Sequence, residues 1–395
     1  MRRVAIIGIG QLPFRTRRPD LNFSELGFEA AKLALEDCCY THEDIDSAVY
    51  SIYSDLLLRQ GTPDVIVHDY LGLGGKPGQR VSEGAATGGY ALKVAWSEVA
   101  SGFSDAALLV GLQKALDVTE PGGKQRGDAA LSAENFTLDM TWHSPFAQQP
   151  WALILNAHMA KYGGPTQEQM AKVAVKNRRN AVDNVNAHLR SAVTLEEVLE
   201  SRLVAWPTTM YESCLYGETA SALVLVSEDR VRPEHQPIWI TGVGTCHDNC
   251  TDHMTFETAG RVPSVYGSAA RAYKMAGVTD PLRELDLIEL NDLIAGLELL
   301  SYAELGLCEV GRGGELIDAG ATDRDGEIPV NPSGGRIGAG HIAGVSGVYS
   351  VGEVALQLAE RAGDRQVKID QGRGLVSVTG GAGLTLSAAV VLERG

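Results

Sequence analysis

Two stretches of this chain say nearly the same thing twice. The run VAIIGIG at Val4–Gly10 is answered by IWITGVG at Ile238–Gly244. The helical pattern around Phe28–Lys32 recurs near Ser268–Arg271, and the turn and strand of Glu43–Tyr50 recur as Arg283–Leu290. Each copy then continues with a glycine-bearing elbow, an Ala-rich helix and a buried apolar strand: Ala91–Gly102 into Ala106–Gly111, and Ser346–Ala362 into Gly374–Val378. An echo at this distance means one supersecondary unit used twice, with the two copies packed against each other. Alternating strands and helices, with continuous apolar strands, predict an α/β fold of mainly parallel sheets sandwiched by helices.

The echo also sets the expected organisation. Residues 1–115 and 210–235 form the first half and 236–395 the second. Residues 116–209 have no counterpart and read as an inserted loop domain over a cleft, a usual place for substrate selection. A chain of 395 residues has length enough for two cores. The Gly8-x-Gly10 pair lacks the third glycine and the acidic ribose reader of a dinucleotide site.

The formal charge of −16, with no local cluster of Lys and Arg, argues against nucleic acid as a partner. No apolar run approaches membrane-spanning length. Met1-Arg2-Arg3 and the short run behind them read as a first buried strand rather than a secretory leader. Six cysteines in such a chain fit a reducing, cytoplasmic setting without disulfides. The segment Cys246-His247-Asp248-Asn249-Cys250, with His253 nearby, lacks the spacing of a zinc finger or ribbon and reads as a polar loop, so no metal site is expected.

RVSEGAATGGYAL, Arg80–Leu92, reads as a strand end, a tight turn and the opening of a helix. Such an elbow lifts one side chain to a helix N-terminus, where backbone N–H groups stabilise a developing anion. Its apex is Ala85, which has no nucleophile.

The elbow, Ile288-Glu289-Leu290-Asn291-Asp292, Val330-Asn331-Pro332-Ser333-Gly334-Gly335, Gly340-His341-Ile342-Ala343-Gly344 and Thr379-Gly380-Gly381-Ala382-Gly383 together resemble the thiolase superfamily, in its sterol-carrier-protein-like and archaeal branch. The resemblance covers nearly the whole chain. It implies a thiolase fold of two duplicated βαβαβ-type halves in α/β/α/β/α layers, coenzyme A thioesters as substrates with no covalently bound cofactor, a homodimer, and a small zinc-ribbon/OB-fold partner protein.

In that family a cysteine at the first elbow takes up the acyl group, and its position here is Ala85. The second thiol is missing too: its alternative positions hold Leu293, or Val378 and Thr379. Ser82 and Thr87 read as capping hydroxyls rather than substitutes. The resemblance also implies that Asn291, through a water, and His341 hold the thioester oxygen of a CoA enolate, with Gly340, Gly344 and Gly381 shaping the substrate loops. Ile342 departs from the family's usual proline after the histidine.

Enolate chemistry without a sulfur nucleophile suits carbon–carbon cleavage or formation of the retro-aldol type. The base candidates are Glu83, if it points into a cleft closed to water, and His143 of the loop domain. Tyr349 reads as core, and Asp292 as an orienting or capping residue. Two other readings stay open: a β-ketoacyl-CoA thiolase or acyltransferase with an atypical nucleophile, and a non-catalytic acyl-CoA-binding subunit of a complex.

Overall fold

The computed structural model describes residues 1–114, 148–249 and 259–395. Nine strands form one twisted sheet: β1 Val4–Gln11, β2 Ser47–Ser51, β3 Gly78–Val81, β4 Ala106–Gln113, β7 Thr219–Ser227, β8 Ile238–His247, β9 Leu287–Leu290, β10 Arg373–Gly380 and β11 Leu386–Arg394. Two short strands, β5 Leu203–Ala205 and β6 Thr208–Thr209, make a separate hairpin. The sheet order is β3-β2-β4-β7-β1-β8-β11-β10-β9.

Read outward from the centre, that order shows the duplication. β1, β7, β4 and β2 on one side match β8, β11, β10 and β9 on the other, pairing by pairing. The halves join where β1 meets β8 antiparallel at Ala5–Trp239 and Ile6–Ile238.

The expectation of mainly parallel sheets is corrected. β2 runs parallel to β3 and β4, and β9 parallel to β10, whereas the β1–β7, β4–β7, β1–β8, β8–β11 and β10–β11 pairs are antiparallel. Continuous apolar strands report that both faces are covered; they carry no information on direction, and β7 is buried along its whole length while pairing antiparallel on both sides.

The helices explain the repeated glycines. A Cβ at Gly8 or Gly10 would sink into the Ala34 and Ala30 carbonyls of the helix Phe23–Asp37, and one at Gly242 or Gly244 into the Ala272 and Ser268 carbonyls of the helix Pro263–Ala276. The Gly-x-Gly motif is therefore a strand–helix contact used twice.

Between the halves lie the helices Thr87–Ser101 and Ser346–Leu358, which meet at their N-termini. A Cβ at Gly88 would stand 2.6 Å from the Val348 nitrogen, and one at Gly347 3.0 Å from Gly88 Cα. This crossing brings the two elbows together. Among the described residues no helix is long and apolar enough to cross a membrane.

Candidate active site

The first elbow is held by its own threonine. Thr87 Oγ1 accepts the Glu83 N–H at 2.7 Å and donates to the Gly84 carbonyl at 2.5 Å, while Ser82 Oγ donates to the Tyr53 carbonyl at 2.6 Å. Both hydroxyls are thus spent on the backbone. Ala85 is buried, and β10 closes over it: a Cβ on Gly380 would lie 2.6 Å from both the Ala85 methyl and its nitrogen. At its apex the elbow presents backbone and a methyl group.

The second elbow carries an imidazole. His341 is almost wholly buried, flanked by Gly340 and Gly344, whose φ values of +114° and +90° let the loop press against the Phe14 ring and the Tyr53 backbone. Its Nδ1 lies 3.0 Å from Ser346 Oγ. Ser346 Oγ also accepts the Ile342 N–H at 3.0 Å and donates to the Ile342 carbonyl at 3.0 Å. A proline at 342 could not donate that N–H, so isoleucine gives Ser346 an additional fixed contact. With the hydroxyl proton on the Ile342 carbonyl, the ring's Nδ1–H donates to Oγ; a turn of the hydroxyl toward Nδ1 would instead place the ring's proton on Nε2. Burial, and then the positive charge of the fully buried Arg336, drive the His341 pKa down to about 3, so the ring is neutral throughout the physiological range.

Asn291 sits just past the end of β9. Its Nδ2 donates to the Thr379 carbonyl at 3.1 Å, and its Oδ1 is buried without a partner among the described residues. An orphaned amide oxygen in a polar site is a natural seat for an ordered water.

One segment, Glu212–Gly217, ties Asn291 and His341 to the same place. The Ala295 N–H donates to the Glu212 carbonyl at 2.8 Å and the Cys214 N–H to Leu293 at 3.0 Å; on the other side the His341 N–H donates to Leu215 and the Gly217 N–H to His341, both at 3.0 Å. The Tyr216 ring packs on the imidazole with centroids 5.4 Å apart. Cys214 contributes only packing, since complete burial pushes its thiol far above the thiolate range.

Beneath these loops lies a buried polar layer of which sequence reasoning singled out Asp292 alone. Asp292 accepts the Arg336 and Ile337 N–H groups at the start of the short helix Gly335–Gly338, together with Asn177 Nδ2 at 2.8 Å. Burial and the neighbouring Glu298 raise its pKa. Asn177 also bridges to Glu298 at 2.8 Å, Lys176 pairs with Glu298 at 2.5 Å, and Asn331 donates to Glu298 at 2.8 Å while accepting the Leu290 N–H. Lys176 and Asn177 come from the helix Gln167–Val182, inside the inserted segment, and both are buried. The sequence does hold a signal: Lys176, Asn177 and Asn180 recur at helical spacing on one polar stripe.

The remaining candidates divide. Gly381 follows β10 and abuts Leu386. Tyr349 is core, fully buried with its ring edge-on to Phe14. Glu83 does not point into a closed cleft: its side chain is 34% exposed and faces His247, with Oε2 3.5 Å from the ring Nε2. Its position at the mouth of the elbow, before the chain turns inward, is the physical reason. His143, Cys250 and His253 lie outside the described residues.

A duplicated α/β fold whose elbow helices cross beside a buried neutral imidazole is the architecture of an acyl-thioester enzyme class, and comparison with known proteins agrees. Residues 4–197 match the model of the thiolase N-terminal domain and residues 245–394 that of the thiolase C-terminal domain-like family. An acetyl-CoA acetyltransferase of Methanothermobacter thermautotrophicus is 32% identical over 99% of this chain and 99% of its own. Sterol carrier protein 2 of Gallus gallus is 29% identical over 93% of this chain and 68% of its own. An Ltp2-ChsH2(DUF35) aldolase structure superposes with a TM-score of 0.83 at 23% identity, covering 99% of this chain and 98% of that one. The chain belongs to the thiolase family, in its sterol-carrier-protein-2-like branch. Enzymes of this family act on coenzyme A thioesters and use no additional cofactor.

Proposed function

We propose that this chain is an acyl-CoA carbon–carbon lyase of the aldolase type, working through a CoA enolate without an acyl-enzyme. The observation that carries the reading is the contrast at the two elbows: a methyl group at Ala85, where an acyl group would have to be attached, against a buried neutral His341 at the second, with the Asn291 amide oxygen unpartnered among the described residues. In the reading, the Ser346 hydroxyl turns to Nδ1, so that His341 Nε2–H and a water seated on Asn291 form an oxyanion hole for the thioester oxygen. Deprotonation of a β-hydroxyl drives its electrons into a new carbonyl, the Cα–Cβ pair moves into the thioester to form the enolate, and the enolate is protonated at Cα. The fold neighbour is named as an aldolase paired with a DUF35 chain. By that likeness we include a small zinc-ribbon/OB-fold partner in the proposal, together with a homodimer, a cytoplasmic setting, and selection of the acyl group by residues 116–209.

The names of the relatives favour a second reading, acyl transfer. Incubation with matched 3-hydroxyacyl- and 3-oxoacyl-CoA esters separates the two. Aldol cleavage yields a shortened acyl-CoA and a free aldehyde or ketone without consuming CoA. CoA-dependent thiolysis with ping-pong kinetics and a trapped acyl-protein adduct overturns the lyase reading.

A further inference from the structure

Three side chains around the first elbow form a constellation that the enolate pair does not use. Glu83 stands two residues before Ala85 and Tyr90 five after it, and His247 is clamped between them. The His247 Nδ1 is 3.2 Å from the Tyr90 oxygen and its Nε2 3.5 Å from Glu83 Oε2, with the Tyr90 ring edge-on at 5.3 Å between centroids. The site is two steps across the sheet from the vacated apex: His247 pairs with Leu386, Leu386 with Gly380, and Gly380 abuts Ala85.

The hydrogen bonds fix the ring's tautomer. Tyr90 donates its single proton to the Cys246 carbonyl at 3.1 Å, so its oxygen is left to accept from His247 Nδ1–H. A neutral His247 then turns a lone pair on Nε2 toward the carboxylate. Two acceptors facing each other make no hydrogen bond, and a proton arriving on Glu83 would bridge the 3.5 Å between them. Exposure is graded outward as well, from the buried Ala85 through Glu83 at 34% to His247 at 58%.

We propose that Glu83, His247 and Tyr90 are the proton exit of the aldol cleavage. Glu83 takes the proton of the substrate's β-hydroxyl and passes it to His247 Nε2, which releases it to solvent. Tyr90 is a positioning residue that holds the ring in the accepting tautomer. The Cα–Cβ electron pair becomes the enolate, which regains a proton from water, so no other reactant is consumed. The inference rests on the enolate reading and names the base that reading requires.

The test separates the two. With a 3-hydroxyacyl-CoA, Glu83→Gln and His247→Gln should each lower kcat for cleavage about 100-fold with KM within about threefold, and Tyr90→Phe about tenfold. Exchange of Cα–H of a saturated acyl-CoA in D2O runs the enolate's protonation by water in reverse, with hydroxide as the base and the oxyanion pair holding the charge, so it should persist in all three and vanish in His341→Gln. Cleavage within threefold of wild type in His247→Gln, or loss of exchange together with cleavage, overturns the relay. If wild type neither cleaves nor exchanges, the enolate reading has failed, and the relay is then judged by 15N NMR of the histidines. Saturation with a 3-hydroxyacyl-CoA should shift the His247 Nε2 resonance in wild type and not in Glu83→Gln; an unmoved resonance overturns it.

Discussion

The two elbows descend from the same repeated unit and have opposite contents. Each leads into a central helix, and the helices touch at Gly88 and Gly347. The first elbow spends its hydroxyls on backbone groups and buries a methyl group at its apex. The second buries a neutral imidazole, fixed by Ser346 and seated over ionisable groups that include Arg336, Asp292 and Glu289. A shared unit therefore does not carry shared chemistry: the apex of the first elbow offers a helix N-terminus and a methyl group, and the second a buried imidazole.

The strongest way to break this comparison is to empty the second elbow. His341→Ala should lower turnover on the best acyl-CoA substrate by about 10²–10³-fold, the usual worth of one oxyanion donor, while CoA-ester affinity measured by calorimetry stays within a few-fold. A loss below tenfold would mean that the chemistry lies elsewhere.

The crossing itself is tested by Gly88→Ala. The added methyl meets the Val348 backbone nitrogen, which cannot move aside without shifting the second central helix, and the cost should be about 1–3 kcal/mol in a denaturant melt. An unchanged midpoint would show that the helices have room to part.

The buried carboxylates sharpen the contrast through pH. Burial, then the nearby Glu353, push Glu289 up to about 8, so from its ordinary value near 4.5 to about 8 the folded chain holds a proton that the unfolded chain has released. Its contribution to stability falls as pH rises through that window, by on the order of 1 kcal/mol per pH unit. His341 acts oppositely, because the unfolded chain gains a proton below 6.5 that the folded site refuses until about 3. Glu289→Gln should flatten the decline of Tm between pH 6 and 8.5; a profile parallel to wild type would place the titration in another group. The smallest expected effect belongs to Cys214→Ala. If no thiol refills the role vacated at Ala85, turnover should stay within about twofold, and a large loss would reopen acyl transfer.

Much of the architecture was legible in advance because a duplication leaves its mark on spacing. The glycines at 8, 10, 242 and 244 mark where helix backbone rests on strand, and that constraint is local. Strand direction was not legible, since an apolar run such as β7 records burial on both faces and nothing of its neighbours. The candidate site divides the same way. Asn291 and His341 stood out through motifs, whereas Lys176, Asn177, Ser346, Tyr90 and His247 matter through contacts that span the chain: Lys176 meets Glu298, and Tyr90 meets His247. Glu83 was noticed for its place beside the apex, but whether it faced cleft or solvent depended on a strand from the other half.

By itself the sequence determined that two copies of one unit are present, that the first elbow has no nucleophile, and that an asparagine and a histidine stand in family order on the second half. These follow from residue type and spacing, which are properties of the chain alone. Only the tertiary structure decided which groups are dry, which are neutral and which lie within reach of one another. Desolvation, pKa and hydrogen-bond tautomer are set by atoms brought within a few ångströms from distant segments, and His341 under Arg336 and His247 between Glu83 and Tyr90 owe their chemistry to that convergence.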